Sequence, residues 1–389
     1  VSTILLFLLA APVWLLTAFF AVQVMAGLRR DPAGELPATG ALDAVIVVPA
    51  CNEGALISDT VKRLKKAGGE KMRLVVVADN CSDQTAELAR LAGAQVIERN
   101  DPARRGKGYA LAFAVEALRS AAPSVLIVVD ADCSIEAPSL ERLARTASAT
   151  NRPCQSVNLL RAVPQAPPMV QISSFAFLLK NLVRQRGLQR LSGRVHLTGT
   201  GMAIPFRLLP RTVLASANIV EDLSLGLDLA QQGFPPMLTP DALVLSSPAS
   251  QDDTLVQRRR WEGGFLATSF RRAPKLALDG LRCGDYGAFL AGIDLMVPPL
   301  ALLMTANVAI LGFALLAALS GLGRAPLAFG FSSLALAAGA VILAWQREGR
   351  AYLAGSVFLR IPLYLAWKIP LYLSLGRRGA PREWLRTRR

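Results

Sequence analysis

The chain has 389 residues, 52% of them hydrophobic, and a mean hydropathy of +0.39; it is too apolar for an ordinary soluble domain and too long for a membrane anchor alone. A formal net charge of +15 raises the question of nucleic acid, but much of it lies beside apolar segments, at Arg258 to Arg260, Arg271, Arg272, Lys275 and six arginines from Arg377 to Arg389. Charge so placed suits anionic headgroups and membrane topology, and no nucleic-acid motif accompanies it.

Residues 1–27 carry no charge, and as a helix they cross a hydrocarbon core about 30 Å thick. They read as a transmembrane helix and not a signal peptide, because Arg29 and Arg30 follow the apolar run instead of preceding it. The positive-inside rule then puts the amino terminus outside and residues 28–250 in the cytoplasm. Five cysteines, Cys51, Cys81, Cys133, Cys154 and Cys283, show no CxxC spacing, which fits a reducing compartment and indicates no zinc site.

From residue 43 to 133 short β-rich runs (AVIVVPA, RLVVVAD, AQVIE, SVLIVVD) alternate with helical stretches near 55–67, 83–92 and 107–121. Such alternation predicts an α/β fold with a parallel sheet and crossover helices. Neither GxGxxG nor GxxxxGK[ST] appears, so hydride transfer and ATP hydrolysis lose support. Pro49, Asn52 and Glu53 follow the first strand, and Asp79 ends the second, where a carboxylate can accept from a base or a ribose. Ser82 or Asp83 suits the cap of the next helix. Arg104-Arg105-Gly106-Lys107-Gly108 opens another helix with cations and free NH groups, a pattern equally suited to a diphosphate and to a solvated loop. The last run ends in Asp130-Ala131-Asp132; two carboxylates on one strand edge repel unless a divalent cation joins them.

Further on, a strand is expected through Arg194–Ile204, carrying Thr198, Gly199, Thr200 and Gly201 for close approach of a ligand. His196, the only histidine, reads as a structural residue, since a carboxylate base is available. That base is in Glu221-Asp222, at the head of a helix, where Asp222 suits either a cap or a general base. Gln257-Arg-Arg-Arg260-Trp261 reads as an interfacial arginine cluster with an aromatic anchor, or as groups for a leaving diphosphate and an acceptor sugar.

The membrane half follows. Residues 251–300 are expected to form an interfacial, amphipathic segment, ended by Pro298-Pro299, and residues 301–346 a transmembrane hairpin with spans near 302–321 and 326–345. Arg360, Lys368, Pro362 and Pro370 interrupt the rest, so residues 347–389 read as a broken interfacial helix and a basic cytoplasmic tail, giving three spans in all. The apolar helix from Pro168 to Leu191, with Lys180, Arg184, Arg186 and Arg190, reads as resting on headgroups, meeting an acceptor phosphate or carrying a solvated face.

Taken in order, these motifs resemble the family 2 glycosyltransferases, the inverting, membrane-attached group that includes cellulose, chitin and hyaluronan synthases. VIVVPACNEG is similar to the family's opening strand and turn, VVVADNCSDQT to its nucleotide-binding acid motif, VDADC to its D-x-D, VED to its base motif and QRRRW to its Q-x-x-R-W, over roughly residues 43–265. The resemblance implies an α/β GT-A domain, a UDP-sugar donor and Mg2+ or Mn2+. It implies that Asp222 is the general base and that Asp130 and Asp132 serve the metal. Pro49, Asn52, Glu53, Asp79, Arg105, Lys107, Asp130, Gln257 and Arg260 would line the donor, and Gly199, Thr200, Glu221 and Trp261 the acceptor. Two departures stand out: Asn80 where several synthases have a second acid, and Val220 in place of Thr.

The expected function is inverting transfer of one or a few sugars to a lipid-linked or other membrane-embedded glycan acceptor, in bacterial envelope or exopolysaccharide assembly at the inner membrane. A processive polysaccharide synthase is the alternative. QRRRW favours it, while three spans give a thin wall for a channel unless chains join as a homo-oligomer. A catalytically silent, nucleotide-sensing membrane subunit is the alternative from another class, and intact Asp132 and Asp222 speak against it.

Overall fold

A computed structural model describes residues 2–29, 34–36, 42–209, 214–215, 219–321 and 323–379. In chain order its first elements are α1 (Ser2–Gly27), β1 (Ala44–Ala50), α2 (Ile57–Gly68), β2 (Met72–Asp79), α3 (Thr85–Leu91) and β3 (Gln95–Arg99). Next come α4 (Lys107–Ala117), β4 (Val125–Val128), β5 (Cys133–Ile135), α5 (Ala137–Thr150), β6 (Cys154–Leu160), α6 (Pro168–Leu178) and α7 (Gln185–Ser192). β7 (Met202–Pro205), α8 (Glu221–Gln231), β8 (Met237–Ser246), α9 (Gln251–Cys283), α10 (Tyr286–Met296), α11 (Leu300–Leu319), α12 (Ala325–Ala344) and α13 (Ile361–Arg378) complete the chain. The chain forms two compact units: a sheet unit from residues 31–161 and 194–248, and a helical unit from 1–30, 162–193 and 249–380.

The sheet unit holds an eight-stranded sheet ordered β3-β2-β1-β4-β7-β6-β8-β5. The first four strands are parallel, as expected from their alternation with helices over residues 43–133; beyond them the sheet is mixed, with β7 antiparallel to both β4 and β6, β8 parallel to β6, and β5 antiparallel to β8. Residues of β1 are buried on both faces because helices cover both. Ile46 and Val48 pack with Ile57, Leu64, Leu140 and Leu143 from α2 and α5, whereas Val45 and Val47 pack with Leu111, Val115, Leu225 and Leu229 from α4 and α8. Each fully buried side chain of this kind contributes roughly 1.5–3 kcal/mol. This packing fixes the carboxyl ends of β1, β2 and β4 side by side.

The expected strand through Thr198–Gly201 is a correction. Regular pairing begins only at Met202, because Gly199 (φ 88°) and Gly201 (φ 64°) take left-handed backbone conformations that a strand cannot hold.

In the helical unit, the segments Leu6–Gly27, Leu300–Leu319 and Ala325–Gly349 are long and apolar enough to cross a membrane. Asn307 of α11 joins them, donating at 3.0 Å to Thr17 of α1 and accepting from Ser333 of α12, as a polar group among apolar helices must. The stretch 162–193, expected within one continuous domain over 28–250, belongs instead to this unit. Glycines explain it: a Cβ on Gly27 would lie 1.8 Å from the Val183 carbonyl oxygen, and one on Gly187 2.0 Å from that of Gln23. Only glycine lets those backbones approach so closely.

Three arginines of that stretch serve internal contacts. Arg184 pairs with Asp294 at 2.5 Å and donates to Gln23 at 2.9 Å, Arg186 meets Glu348 at 3.2 Å, and Arg190 donates to the Ala26 carbonyl. Lys180 is exposed, over the Phe265 ring. The break expected at Pro370 is absent, since α13 runs through it, and Pro362 stands in the first turn, where its missing NH costs nothing. The basic tail from residue 380 onward and Arg30 lie outside the described residues.

Candidate active site

Three strand ends and two turns build the site of the sheet unit. Beyond β1, Asn52 adopts φ 57° and its Oδ1 accepts from the Ser82 backbone NH at 2.7 Å. The Glu53 NH donates to Thr85 Oγ1 at 2.8 Å and the Gly54 NH to Asp83 Oδ2 at 2.9 Å. Asp83 also accepts from the Thr85 NH at 3.0 Å, a turn bond just before α3; the cap position itself is Gln84, which makes no side-chain cap bond, so the cap expected of Ser82 or Asp83 is not formed. Pro49 lies within β1 itself. The motif from Asn52 to Gly54 therefore fastens the first loop to the second.

At the end of β2, Asp79 is buried. Its Oδ1 accepts from Arg99 at 2.6 Å and from Asn80 at 3.0 Å. Arg99 in turn meets Asp101 at 3.1 Å and stands over the Tyr109 ring. Burial pushes the Asp79 carboxyl above its usual range, with Arg99 opposing the shift. Asn80 takes φ 51°, which Asn tolerates, and its Oδ1 accepts from the Asp101 NH at 2.8 Å. The missing second acid is thus a turn former that shapes the pocket edge.

At the end of β4, a tight turn closed by the Cys133 NH on the Asp130 carbonyl at 3.0 Å presents Asp130 and Asp132 together. Thr60 of α2 donates to the Ala131 carbonyl at 2.6 Å and fixes the turn from below. Ligand atoms of Asp130, Asp132 and Cys133 all lie within 4.8 Å of one another. Burial pushes the Cys133 thiol up to about 12, so it is protonated at neutral pH and the carboxylates are the hard donors. Lys107, opening α4, donates to Asp130 Oδ1 and to the Gly199 carbonyl at 2.6 Å. Burial works against its ammonium, but Asp130, Glu221 and Asp222 outweigh that and hold its pKa above the ordinary value.

The turn over residues 198–201 closes the cluster. The Asp130 NH donates to Thr200 Oγ1 at 3.1 Å. A Cβ on Gly199 would stand 3.2 Å from Asp222 Oδ2 and 3.7 Å from Lys107 Nζ, so Asp222 reaches the same place as Lys107 and Asp130. Asp222 is not the cap of α8: Glu221 and Asp222 occupy its first turn, and Val220 before them makes no side-chain cap. Burial, then the neighbouring Asp222 charge, pushes Glu221 up to about 8.

The cluster thus holds two acids on a strand turn, a lysine between them and a glycine wall, and a third acid opposite. A sequence model described as "Glycosyltransferase like family 2" matches residues 43–264, more than half of the chain. The chain belongs to glycosyltransferase family 2.

Among curated relatives, the low-salt glycan biosynthesis hexosyltransferase Agl6 of Haloferax volcanii is 37% identical over 101 residues, 25% of this chain and 23% of that protein. The uncharacterized protein MJ1222 of Methanocaldococcus jannaschii is 35% identical over 100 residues, 26% of this chain and 40% of that protein. The chain therefore spans less than half the length of these curated relatives. Among solved structures, the mannosyltransferase PcManGT from Pyrobaculum calidifontis, in complex with GDP-Man and Mn2+, covers 94% of this chain and 98% of its own at 17% identity and a TM-score of 0.55. At that identity the likeness shows the fold, and the fold is GT-A.

Within this GT-A unit the structure brings together Asp130, Asp132, Lys107, Gly199, Thr200 and Asp222, with Glu221 beside them. Asp79 stands at the end of β2, separated from β4 by β1, and Arg105 is exposed on the loop before α4. Gln257, Arg260 and Trp261 lie in the helical unit on α9. There Gln257 is buried, and Trp261 packs 5.6 Å from the Phe177 ring and under Arg258, which donates to Ser173 at 2.8 Å.

Two residues of the site were missed by sequence reasoning. Gln155 of β6 donates to the Thr200 carbonyl at 2.9 Å and accepts from the Thr198 NH at 2.9 Å, and Asn158 donates to the Thr198 carbonyl at 3.3 Å. They replace the ladder bonds that the glycine turn forgoes. The available signal was two amides in the otherwise inward-facing run CQSVNLL, all of it buried.

Proposed function

We propose that this family 2 glycosyltransferase moves a hexose from a nucleoside-diphospho-sugar, in the first instance a UDP-sugar, to a hydroxyl of a lipid-linked or other membrane-embedded glycan acceptor, with inversion, in envelope or exopolysaccharide assembly. The observation that carries the reading is the meeting of Asp130, Lys107 and Asp222 around Gly199, with Asp132 on the same turn as Asp130.

Asp222 is the general base: its carboxylate takes the proton of the acceptor hydroxyl as that oxygen attacks the anomeric carbon and the bond to the diphosphate breaks on the opposite side. Gly199, lacking a Cβ, leaves the space in front of Asp222 in which the two reacting atoms meet. Lys107 supplies positive charge for the departing diphosphate. Glu221 stands beside the base at the start of α8, its carboxyl pushed up by burial and by the neighbouring Asp222 charge. Asp79 at the end of β2 accepts from the nucleoside, and Pro49, Asn52, Glu53 and Arg105 shape its surroundings.

The donor set fits a hard divalent cation: two carboxylates on one turn, with the neighbouring thiol protonated. Mg2+ or Mn2+ held by Asp130 and Asp132 would stabilise the charge that develops on the nucleoside diphosphate. Roles for Gln257 and Arg260 at the donor, and Trp261 at the acceptor, are proposed from the motif alone. The proposed setting is a bacterial inner membrane with the GT-A unit cytoplasmic, supported by Arg29 after the first span, Arg347 in the final turn of the last and Arg350 just beyond it.

The test is transfer of labelled sugar by the protein in membranes, with a panel of UDP-sugars and GDP-mannose, with Mn2+ or EDTA, and with Asp222→Asn as control. Metal-dependent label in a small organic-extractable product, lost in the variant, is the expected result. Label in a long polymer would favour the processive synthase, for which QRRRW speaks. No transfer from any donor would remove the enzyme reading in favour of a nucleotide-sensing subunit.

A further inference from the structure

Asp130 is shared before any ligand arrives. Lys107 donates to Asp130 Oδ1 and to the Gly199 carbonyl at 2.6 Å, so its ammonium bridges the strand turn and the glycine turn. Neither partner is open to full solvent screening, with side-chain exposures of 17% for Lys107 and 35% for Asp130. The Asp130 backbone is held as well, by Thr200 through its NH and by Cys133 through its carbonyl. The strand turn and the ammonium thus hold Asp130 at one place, where a cation must share its carboxylate with Lys107. A divalent ion that takes Asp130 and Asp132 meets a like charge on the same acceptor, and a nucleoside diphosphate brings the anionic oxygens that can relieve the conflict.

We propose that Lys107 is a charge lock on the cation site: without nucleotide it holds Asp130 and keeps divalent-ion affinity low, and the diphosphate of an arriving donor draws its ammonium away. Cation and nucleoside diphosphate then bind with reciprocal positive coupling. Lys107 thereby acts on the order of loading, beyond its contact with the donor. The inference rests on Asp130 and Asp132 being the metal pair.

The test is Mn2+ binding to the full chain in detergent, read from the electron paramagnetic resonance of free Mn2+, without nucleotide and with UDP or GDP. The proteins are the unaltered chain, Lys107→Met, Lys107→Arg and Asp132→Asn. In the unaltered protein the nucleoside diphosphate tightens Mn2+ binding by about tenfold or more. Lys107→Met binds Mn2+ about tenfold more tightly than the unaltered protein without nucleotide and loses most of the coupling, whereas Lys107→Arg, which keeps the charge, stays near the unaltered value. Equal nucleotide-free affinity in the unaltered protein and Lys107→Met, with binding still lost in Asp132→Asn, overturns the lock and leaves the metal pair standing. Absence of Asp132-dependent Mn2+ binding in every protein and condition overturns both.

Discussion

Arg184 with Asp294 in the helical unit and Lys107 with Asp130 in the sheet unit are both charged pairs joined by direct hydrogen bonds, yet they are finished differently. Asp294 Oδ1 accepts from Arg184 at 2.5 Å and from Gln23 at 2.6 Å, Gln23 in turn accepts from Arg184, and both ionic side chains are about nine-tenths buried. Lys368 is completed in the same way: fully buried, it meets Glu262 at 2.6 Å, and Tyr372 donates to the other Glu262 oxygen at 2.9 Å. These clusters answer their own charge. The Lys107–Asp130 pair instead stands a third exposed on its acidic side, among Asp132, Glu221 and Asp222 and next to backbone at φ 88°. Polar groups of the helical unit are closed on one another, whereas those proposed to perform chemistry are left with charge to give.

The sharpest way to break this contrast is to remove one group from each side. Asp222→Asn should lower the transfer rate by about a hundredfold to ten-thousandfold, the span expected of a general base. Its thermal unfolding should be almost unchanged; an unfolded variant would return Asp222 to a structural role. Arg184→Met should do the reverse, lowering stability by about 3–5 kcal/mol because it strands the buried Asp294 carboxylate. Adding Asp294→Leu should restore most of that loss, and failure of the pair to recover in a detergent unfolding series would show that the cluster is not a closed unit.

A smaller effect is expected at the glycine turn beside the Lys107–Asp130 pair. Gly199→Ala forces a side chain into a left-handed conformation, at about 1–2 kcal/mol, and puts its Cβ 3.2 Å from Asp222 Oδ2. Transfer rate should fall further than stability, and equal losses would mean that the glycine only serves the fold. The last test concerns Glu221. Its carboxyl is raised in the folded protein, from the ordinary 4.5 up to about 8, so the folded state binds more protons than the unfolded chain between those values. Its stabilising contribution is full below about pH 4.5 and is lost as pH rises through about 8. Thermal unfolding from pH 5 to 9 should show a falling slope that Glu221→Gln flattens; an unchanged slope would assign it elsewhere.

The same contrast explains what the sequence made legible. Strands such as AVIVVPA and the acids at their ends could be read because apolar runs and terminal carboxylates are local features. The turn at Thr198–Gly201 could not, since its geometry is imposed by Gln155 and Asn158, some forty residues earlier. Nor could the allegiance of residues 162–193. Its arginines look like headgroup contacts until Asp294, Gln23 and Glu348 are seen to receive them, and its glycine-to-backbone packing against α1 leaves no periodic signal. Asp222 was legible as an acid at a helix start, but its freedom from capping duty depends on where α8 begins.

The carboxylates around Gly199 are proposed to form a metal-dependent sugar-transfer site. The most direct measurement is the initial rate of labelled sugar transfer in EDTA-stripped membranes as Mn2+ is restored, for the unaltered protein and for Asp132→Asn. A rate that returns with Mn2+ in the unaltered protein, and stays at background in the variant at every Mn2+ concentration, is the predicted result. Equal transfer by both proteins, or transfer indifferent to EDTA, would contradict it.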